Sequence, residues 1–369
     1  AGARAGPLPG APRACGAGAS GMSAVAAILG AGITPSVGGN TAQSCAALRA
    51  GLARFSRTDL HLTMPFDEFG DDLVLPPASL VPGLPFNAKG ADRLLGMLAP
   101  ALVEAVADSR LKRDDFNRWS LHLALPDSVR PEMPGLDSLP EKLVRGAALP
   151  APANTTVARA GQSGFADALI AAGNAFRTGV TTAVVAGADT WRHGPSLTRL
   201  VASGRLKCPR VSDGLIPGEA AGVLILRKPT DAKAAPQVAG LAAATEPAPV
   251  FGDAPGVGVG FTEAVRAASA MVPNTPAAWA LLDQNGERYR AAEWGYLLTR
   301  LHALFGSPRA DWLHADCIGD IGAATGGVAA ARALHAWRRG YAPRDTAWIL
   351  LGSDSGGRGV VALRQGGPA

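Results

Sequence analysis

The chain has 369 residues, of which 47% are hydrophobic and 18% charged, so it can bury the large core of two domains or of one two-part domain. Its formal net charge is +5, but the positive residues are dispersed and form no basic stripe, which argues against a nucleic-acid partner. No apolar run approaches the roughly 20 residues of a membrane helix, which argues against a membrane partner.

The cysteines stand far apart and show no Cys-x-x-Cys spacing; they are Cys15, Cys45, Cys208 and Cys317. This spacing argues against a zinc site and against a disulfide framework. Reduced thiols and a cytoplasmic location are therefore expected, and we expect no metal and no cofactor.

Segments typical of strands and helices alternate along the chain, which favours layered α/β architecture. Residues 1–21 are mostly Gly, Ala and Pro and are predicted to be a disordered leader. The first predicted elements are a strand over 24–32, a helix over 40–55 that Asn40 or Thr41 caps, and a helix over 90–109. Residues 57–90 and 126–156 are predicted to be mostly loops.

The most informative feature is an internal repeat. Its first copy runs from a helix over 164–179 to a strand over 182–190 and, after an insertion, to a strand over 220–228. Its second copy runs from a helix over 326–340 to apolar segments over 346–355 and 357–365. The repeat predicts two similar halves, over 22–230 and 231–369.

The composition of the repeated elements predicts how the halves pack. The repeated strands are apolar throughout, which is typical of sheets covered on both faces. The repeated helices are rich in Ala and Gly, so their backbones can approach closely. We therefore expect both helices between two sheets, in an α/β five-layered αβαβα sandwich.

Four strings carry a family resemblance: "GAGITPSVGGNTAQSCAALRAGLARF", "VSDGLIPGEAAGVLILRK", "CIGDIGAATGGVAAARAL" and "GSDSGGRGVVAL". The first resembles the opening of the β-ketoacyl synthases, the second their Asp-Gly-Phe-x-x-Gly-Glu-Gly-Ala-Gly segment. The third resembles their Gly-His-x-x-x-Ala-Ala-Gly helix start, and the fourth their closing glycine-rich loop. With the repeat, the strings make the chain similar to the thiolase superfamily over about residues 22–365.

The resemblance implies where the family's reactive groups belong. Its cysteine, a thiolate at a strand-to-helix corner, falls at Gly161 or Gln162. Its two histidines fall at Asn285 and Asp320, and its lysine falls near Ala315. The cysteine, both histidines and the lysine of the family are therefore absent from these positions.

The expected loss of rate is large. Removal of one oxyanion donor costs roughly 3 to 4 kcal/mol. An ionised Asp320 about 4 Å from a developing enolate would add about 4 kcal/mol of repulsion at an effective dielectric constant near 20. Condensation by the family's route is therefore not expected.

Two residues are candidate substitute nucleophiles, and each has a structural alternative. Ser163 lies at the corner, where a serine also suits the N-cap of the following helix. Cys317 lies three residues before Asp320, and the alternative is a small buried thiol that needs no neighbouring base.

Polar residues at the expected centre leave two interpretations open. Gln162, Asn285 and Asp320 either form a pocket for an amide or amine, or satisfy one another and nearby backbone. Asp189 and Asp354 occupy equivalent repeat positions, which fits a two-carboxylate site or, better, one capping or turn role used twice.

These observations favour a ketosynthase-like protein that has lost condensing activity and acts as a binding, scaffold or accessory subunit. The resemblance implies a homodimer, or a heterodimer with a ketosynthase-like subunit, joined by edge strands. It also implies an acyl chain, an acyl carrier protein or, by similarity to degenerate proteins beside bacterial secretion systems, a secreted effector as partner. The alternative is an acyltransferase, like a 3-oxoacyl-acyl carrier protein synthase, or a hydrolase of acyl thioesters that uses Ser163 or Cys317.

Overall fold

A computed structural model describes residues 13–14, 24–57, 76–85, 87–252 and 254–367. The strands are β1 Arg13–Ala14, β2 Ala26–Thr34, β3 Ser56–Arg57, β4 Pro77–Ala78, β5 Trp119–Ala124, β6 Asn154–Ala158, β7 Thr182–Thr190, β8 Glu219–Arg227, β9 Gln237–Thr245, β10 Trp279–Leu282, β11 Ala310–Trp312, β12 Thr346–Gly352 and β13 Gly357–Arg364. The helices are α1 Thr41–Arg49, α2 Gly90–Ser109, α3 Leu139–Gly146, α4 Gly164–Arg177, α5 Gly194–Ala202, α6 Val259–Met271, α7 Arg288–Arg300, α8 His302–Phe305, α9 Ala315–Ile318 and α10 Thr325–Arg338.

The two halves of the chain have the same sheet topology. The first half orders its strands β6-β5-β7-β8-β2, and the second orders them β11-β10-β12-β13-β9. In each half the first two pairings are parallel and the last two are antiparallel. A short antiparallel contact between β2 and β9 joins the halves into one sheet order, and the predicted boundary at 230–231 lies in the link between β8 and β9.

Helices cover both faces of the sheets, and the layers are those of the expected αβαβα sandwich. Helices α4 and α10 lie in the middle layer, where each contacts strands of both halves. Helix α2 packs outside β2, β7 and β8, and α6 packs outside β9 and β13. Three apolar clusters fill the spaces between these layers. Within the described ranges, no helix combines the length and the apolar character needed to cross a bilayer.

The middle layer depends on small residues, as the composition predicts. A Cβ added at Gly327 of α10 would lie 2.8 Å from the backbone of Gly222 in β8. At the corresponding contact of the other half, a Cβ added at Gly359 of β13 would lie 2.6 Å from the Cβ of Ala166 in α4. Larger side chains at these crossings would push helix and sheet apart.

Most elements of the repeat are confirmed, and the first predicted helix is confirmed in part. The strand predicted over 182–190 is β7, with the same bounds. Asn40 caps α1, since its side chain accepts a hydrogen bond from the Gln43 backbone N–H at 2.9 Å. This helix ends at Arg49, short of residue 55.

Residues 126–156, predicted to be mostly loops, also contain a helix and the start of a strand. Helix α3 lies within this range and buries Leu139 and Leu143, and Pro140 near its start suits a first helical turn. Strand β6 begins at Asn154 with polar, exposed residues, because it is an edge strand paired only with β5. The sequence does not indicate α3 because prolines flank it, and it does not indicate β6 because the strand is short and largely polar. The predicted leader lies outside the described residues except for β1, which pairs with β9.

Candidate functional site

Three chain segments bring the predicted pocket positions together in the middle of the molecule. Gly161 and Gln162 lie in a 3-10 turn that leads into α4, Asn285 follows β10, and Asp320 precedes α10. All four residues are buried. The segment Ala315–Ile318, which begins where the family lysine was expected, forms α9 and ends two residues before Asp320.

Asp320 is the shared acceptor of this polar centre, which we define as Gln162, Trp191, Asn285 and Asp320. Its carboxylate accepts hydrogen bonds from Asn285 Nδ2 at 2.6 Å, from Trp191 Nε1 at 3.2 Å and from the backbone N–H of Gly322 at 2.8 Å. Gln162 Nε2 adds longer contacts at 3.4 and 3.5 Å. The geometry therefore matches the interpretation in which these residues satisfy one another and nearby backbone.

Both amide N–H groups of Asn285 are used within the protein. One donates to Asp320 and the other to Glu287 Oε2 at 2.8 Å. The Asn285 side-chain oxygen accepts from the Glu287 backbone N–H at 3.1 Å. An oxyanion needs a free donor aimed at it, and Asn285 has none to spare.

An ionic cluster that the sequence did not predict continues from Glu287. Arg205 Nε lies 2.5 Å from Glu287 Oε1, and its Nη1 lies 2.8 Å from Asp354 Oδ2. Arg290 Nη1 lies 2.8 Å from Asp283 Oδ2, and its Nη2 lies 3.5 Å from Asp354 Oδ1. The guanidinium groups thus link three loops that follow β10, α5 and β12.

The ionic cluster determines the charge state of Asp354. Burial by itself would raise the pKa of this carboxyl, but Arg205, Arg290 and the Tyr289 hydroxyl offset burial and lower the pKa to about 2. Tyr289 donates its O–H to Asp354 Oδ1 at 2.9 Å. Asp354 therefore stays ionised at neutral pH and acts as an ion-pair partner.

The equivalent Asp189 has a different role. Arg130 Nη1 donates to its Oδ1 at 2.7 Å, and the backbone N–H of Ala323 donates to its Oδ2 at 3.0 Å. Asp189 therefore combines an ion pair with the role of acceptor for a backbone N–H just before α10, whereas the side-chain partners of Asp354 are Arg205, Arg290 and Tyr289. Asp354 lies in the turn between β12 and β13 and caps no helix; at the start of α4, Ser353 accepts from the Ser163 backbone N–H at 2.8 Å.

Ser163 is buried at the N-cap position of α4, but its hydroxyl does not cap the helix. The 3-10 turn before α4 already gives Ser163 helical backbone angles, so the hydroxyl turns back to the Ala160 carbonyl at 3.2 Å. Its other contact is the Ser353 hydroxyl at 2.8 Å. Neither partner is a general base, which nucleophilic catalysis by serine requires.

Cys317 is a buried thiol within α9. Burial, together with the charge and hydrogen bond of Asp316, raises the pKa of Cys317 to about 11. Burial also lowers the pKa of the neighbouring His314 to about 3, so the imidazole is neutral at pH 7. A reactive cysteine needs thiolate character, and this environment opposes it.

Backbone conformation distinguishes the two predicted positions for the family's cysteine. Gly161 has φ +56°, and a Cβ added there would lie 3.2 Å from the Cβ of Asp127. A side chain at Gly161 would therefore be strained. Gln162 faces Asp320 from the same turn, so it is the better structural counterpart of a corner nucleophile.

The chain resembles solved structures of known fold, although it matches neither a family model nor a curated protein. Among solved structures, the oxazolomycin ketosynthase domain of Streptomyces albus JA3453 is 15% identical, with a TM-score of 0.74 over 94% of this chain and 75% of its own. A chain from a type II polyketide synthase acyl-carrier protein in complex with its ketosynthase is 15% identical, with a TM-score of 0.75 over 92% of this chain and 98% of its own.

A third structure, the ishigamide ketosynthase/chain length factor, is 18% identical, with a TM-score of 0.68 over 93% of this chain and 99% of its own. At such low identity the likeness shows the fold. The chain thus has the thiolase-like ketosynthase fold that the repeat and the four strings predict.

Proposed function

We propose that this protein is a non-condensing subunit of the ketosynthase fold that acts by binding, as a scaffold or accessory chain. The observation that carries the proposal is the 2.6 Å hydrogen bond between Asn285 and Asp320, at the positions that match the family's two histidines. These two side chains satisfy each other, and an ionised carboxylate beside a developing enolate would oppose its formation.

The two substitute nucleophiles give little support to the alternative of an acyltransferase or hydrolase. Ser163 contacts a carbonyl and another serine, and Cys317 has a raised pKa. Both side chains are also buried, at 2% relative exposure each. A thioester would have to displace packed groups to reach either atom.

The structural neighbours support the choice of partner. One is described as a ketosynthase/chain length factor and another as an acyl-carrier protein in complex with its ketosynthase. For this chain we propose a ketosynthase-like subunit or a second copy as the direct partner. We also propose a cytoplasmic location, with an acyl carrier protein, an acyl chain or a secreted effector as a further partner.

Strand β6 is the proposed pairing edge. It ends the strand order of the first half, and Asn154, Thr155 and Val157 are exposed along it. An edge strand with unpaired backbone groups invites pairing with another strand. Val157, 44% exposed, would add apolar contact between the partners.

Acyl transfer to the protein is tested by intact-mass measurement after incubation with an acyl N-acetylcysteamine thioester. The proposal expects an unchanged mass for the wild type and for Ser163→Ala and Cys317→Ala. An acyl adduct on the wild type that one of these substitutions removes would contradict it in favour of the acyltransferase alternative.

The experiment on assembly is sedimentation velocity of the purified protein. We expect a dimer that Val157→Lys converts to monomer, because two charged edges repel each other. Val103→Lys is the matched control, since Val103 is 63% exposed on α2, away from β6. A monomeric wild type, or a dimer that survives Val157→Lys, would contradict pairing of two copies through β6.

A further inference from the structure

Buried arginines divide into two kinds in the part of the chain that the structure describes. Six arginine side chains are buried: Arg93, Arg130, Arg205, Arg290, Arg332 and Arg358. Five of them form an ion pair with a buried Asp or Glu, at distances of 2.5 to 2.8 Å. Arg332, which is 6% exposed, has no carboxylate within 4.0 Å among the described residues. A buried guanidinium without a carboxylate in direct ion-pair contact is costly, so it points to a function.

Arg332 lies on α10 and borders a cavity of about 340 Å³ between α1, β11, α9 and α10. We call this cavity the Arg332 cleft; its lining includes Cys45, Arg49, Trp312, Asp316, Arg332 and Tyr341. One guanidinium nitrogen of Arg332 donates to the Leu313 carbonyl, and the group lies over the Trp312 ring, 5.3 Å from its centroid. The cleft has the size of a small-molecule site.

Nearby groups supply little negative charge to Arg332. Burial raises the pKa of Cys45 to about 12 and that of Cys317 to about 11, so both are neutral thiols at pH 7. Burial also raises the pKa of Tyr341. Asp311 is engaged by Arg309 at 2.7 Å, which leaves the Asp316 carboxylate as the anion facing the cleft.

Two further arginines extend the positive character of the cleft. A second cavity, of about 560 Å³, shares Arg49 and Tyr341 with the first and is also lined by His335 and Arg339. The Arg49 guanidinium lies over the Tyr341 ring, 3.9 Å from its centroid. Burial and the nearby Arg339, Arg338 and Arg49 lower the pKa of His335, which is consistent with a surplus of positive charge.

We propose that the Arg332 cleft binds the phosphate or carboxylate group of a small molecule whose apolar part contacts the Trp312 and Tyr341 side chains that line the cleft. Arg332 offers its fork of donors at the buried end, and Arg49 offers a second guanidinium at the exposed end. The site is separate from the polar centre: Thr325, at the start of α10, is seven residues or about 10 Å before Arg332 along the helix. The inference does not depend on the proposed function.

The test is isothermal titration of the whole protein with inorganic phosphate, phenyl phosphate, acetate and benzoate at constant ionic strength. We expect binding that Arg332→Gln weakens at least about 10-fold, since a hydrogen-bonded charge is lost. Arg49→Gln, an exposed change that leaves the fold intact, should weaken the same ligand several-fold. Arg145→Gln is the matched control, because Arg145 lies on α3, lines neither cavity and pairs with Glu141 at 3.1 Å; this variant should bind as the wild type does.

Comparison of the four ligands shows whether the cleft prefers a phosphate or a carboxylate. Tighter binding of phenyl phosphate than of benzoate identifies a phosphate site, and the reverse order identifies a carboxylate site. Tighter binding of either aromatic ligand than of phosphate or acetate supports contact of the ligand's apolar part with Trp312 and Tyr341. No binding of any of the four, or binding that survives both Arg332→Gln and Arg49→Gln, would overturn the proposal.

Discussion

In the described part of the chain, buried arginines have carboxylate partners in the ionic cluster beside the polar centre, but not in the Arg332 cleft. In the ionic cluster, Arg205 and Arg290 contact Glu287, Asp283 and Asp354, and the donors of Asn285 are used as well. In the Arg332 cleft, a guanidinium is buried beside a cavity without a carboxylate within ion-pair distance among the described residues. Where the family resemblance predicts chemistry, the Asn285 donors are paired within the protein. Where it predicts none, the Arg332 guanidinium is bonded to the Leu313 carbonyl and has no carboxylate partner among the described residues.

The largest expected effect is in the ionic cluster. Arg205→Gln leaves Glu287 and Asp354 without their principal cation while both stay buried, so we expect a loss of about 3 to 5 kcal/mol in the free energy of unfolding. Urea denaturation measures it. The control is Arg288→Gln, which removes an exposed pair with Asp213 and should cost less than about 1 kcal/mol. Equal effects of the two substitutions would contradict the importance of the buried cluster.

The pH dependence of stability tests Asp354 directly. The pKa of this carboxyl is lowered in the folded protein to about 2, against 3.8 ordinarily, so its charge stabilises the fold above pH 4. That contribution, about 2 to 3 kcal/mol, is lost as the pH falls from about 4 to 2. Asp354→Asn should therefore be less stable than the wild type at pH 6, and the difference should shrink toward pH 2. A difference that is the same at both pH values would argue against the lowered pKa.

Direct coupling of Asn285 and Asp320 is a third test. A double-mutant cycle of Asn285→Ala and Asp320→Ala should give an interaction energy of about 1 to 2 kcal/mol, since the two side chains share a charge-assisted hydrogen bond. Thermal or urea denaturation of the four proteins provides the values. Additive effects would mean that the two residues do not satisfy each other.

The smallest expected effect is in the Arg332 cleft. Without added anion, Arg332→Gln should stay within about 1 kcal/mol of the wild type or become more stable, because no buried carboxylate loses its partner. Urea denaturation in a buffer free of phosphate and carboxylate makes the comparison with Arg205→Gln. A loss as large as that of Arg205→Gln would show that Arg332 is held by an internal counter-charge.

The sequence predicted those features that depend on local pattern or repetition. The sequence indicates the matching strands β7 and β12, and the small residues of α4 and α10, because each pattern lies within one segment. The meeting of Gln162, Asn285 and Asp320 was predictable through the family resemblance, but their hydrogen bonds were not. Arg205 contacts Glu287 and Asp354, which are 82 and 149 residues away in the chain, so no local pattern signals the ionic cluster.

The Arg332 cleft was missed for the same physical reason. In sequence, Arg332 is one basic residue on a helix of small residues, which is typical of a solvent-facing position. Its burial depends on α1, β11 and α9, which pack around α10 only in the folded chain. A single sequence indicates charge but does not indicate whether that charge is compensated.

The most direct measurement of the central claim is release of free thiol from an acyl thioester, followed with the wild type and with a Ser163→Ala/Cys317→Ala double variant. If the polar centre is internally satisfied and the two candidate nucleophiles are inert, both proteins should release thiol at the rate of buffer alone. A protein-dependent rate in the wild type that the double variant abolishes would contradict the account.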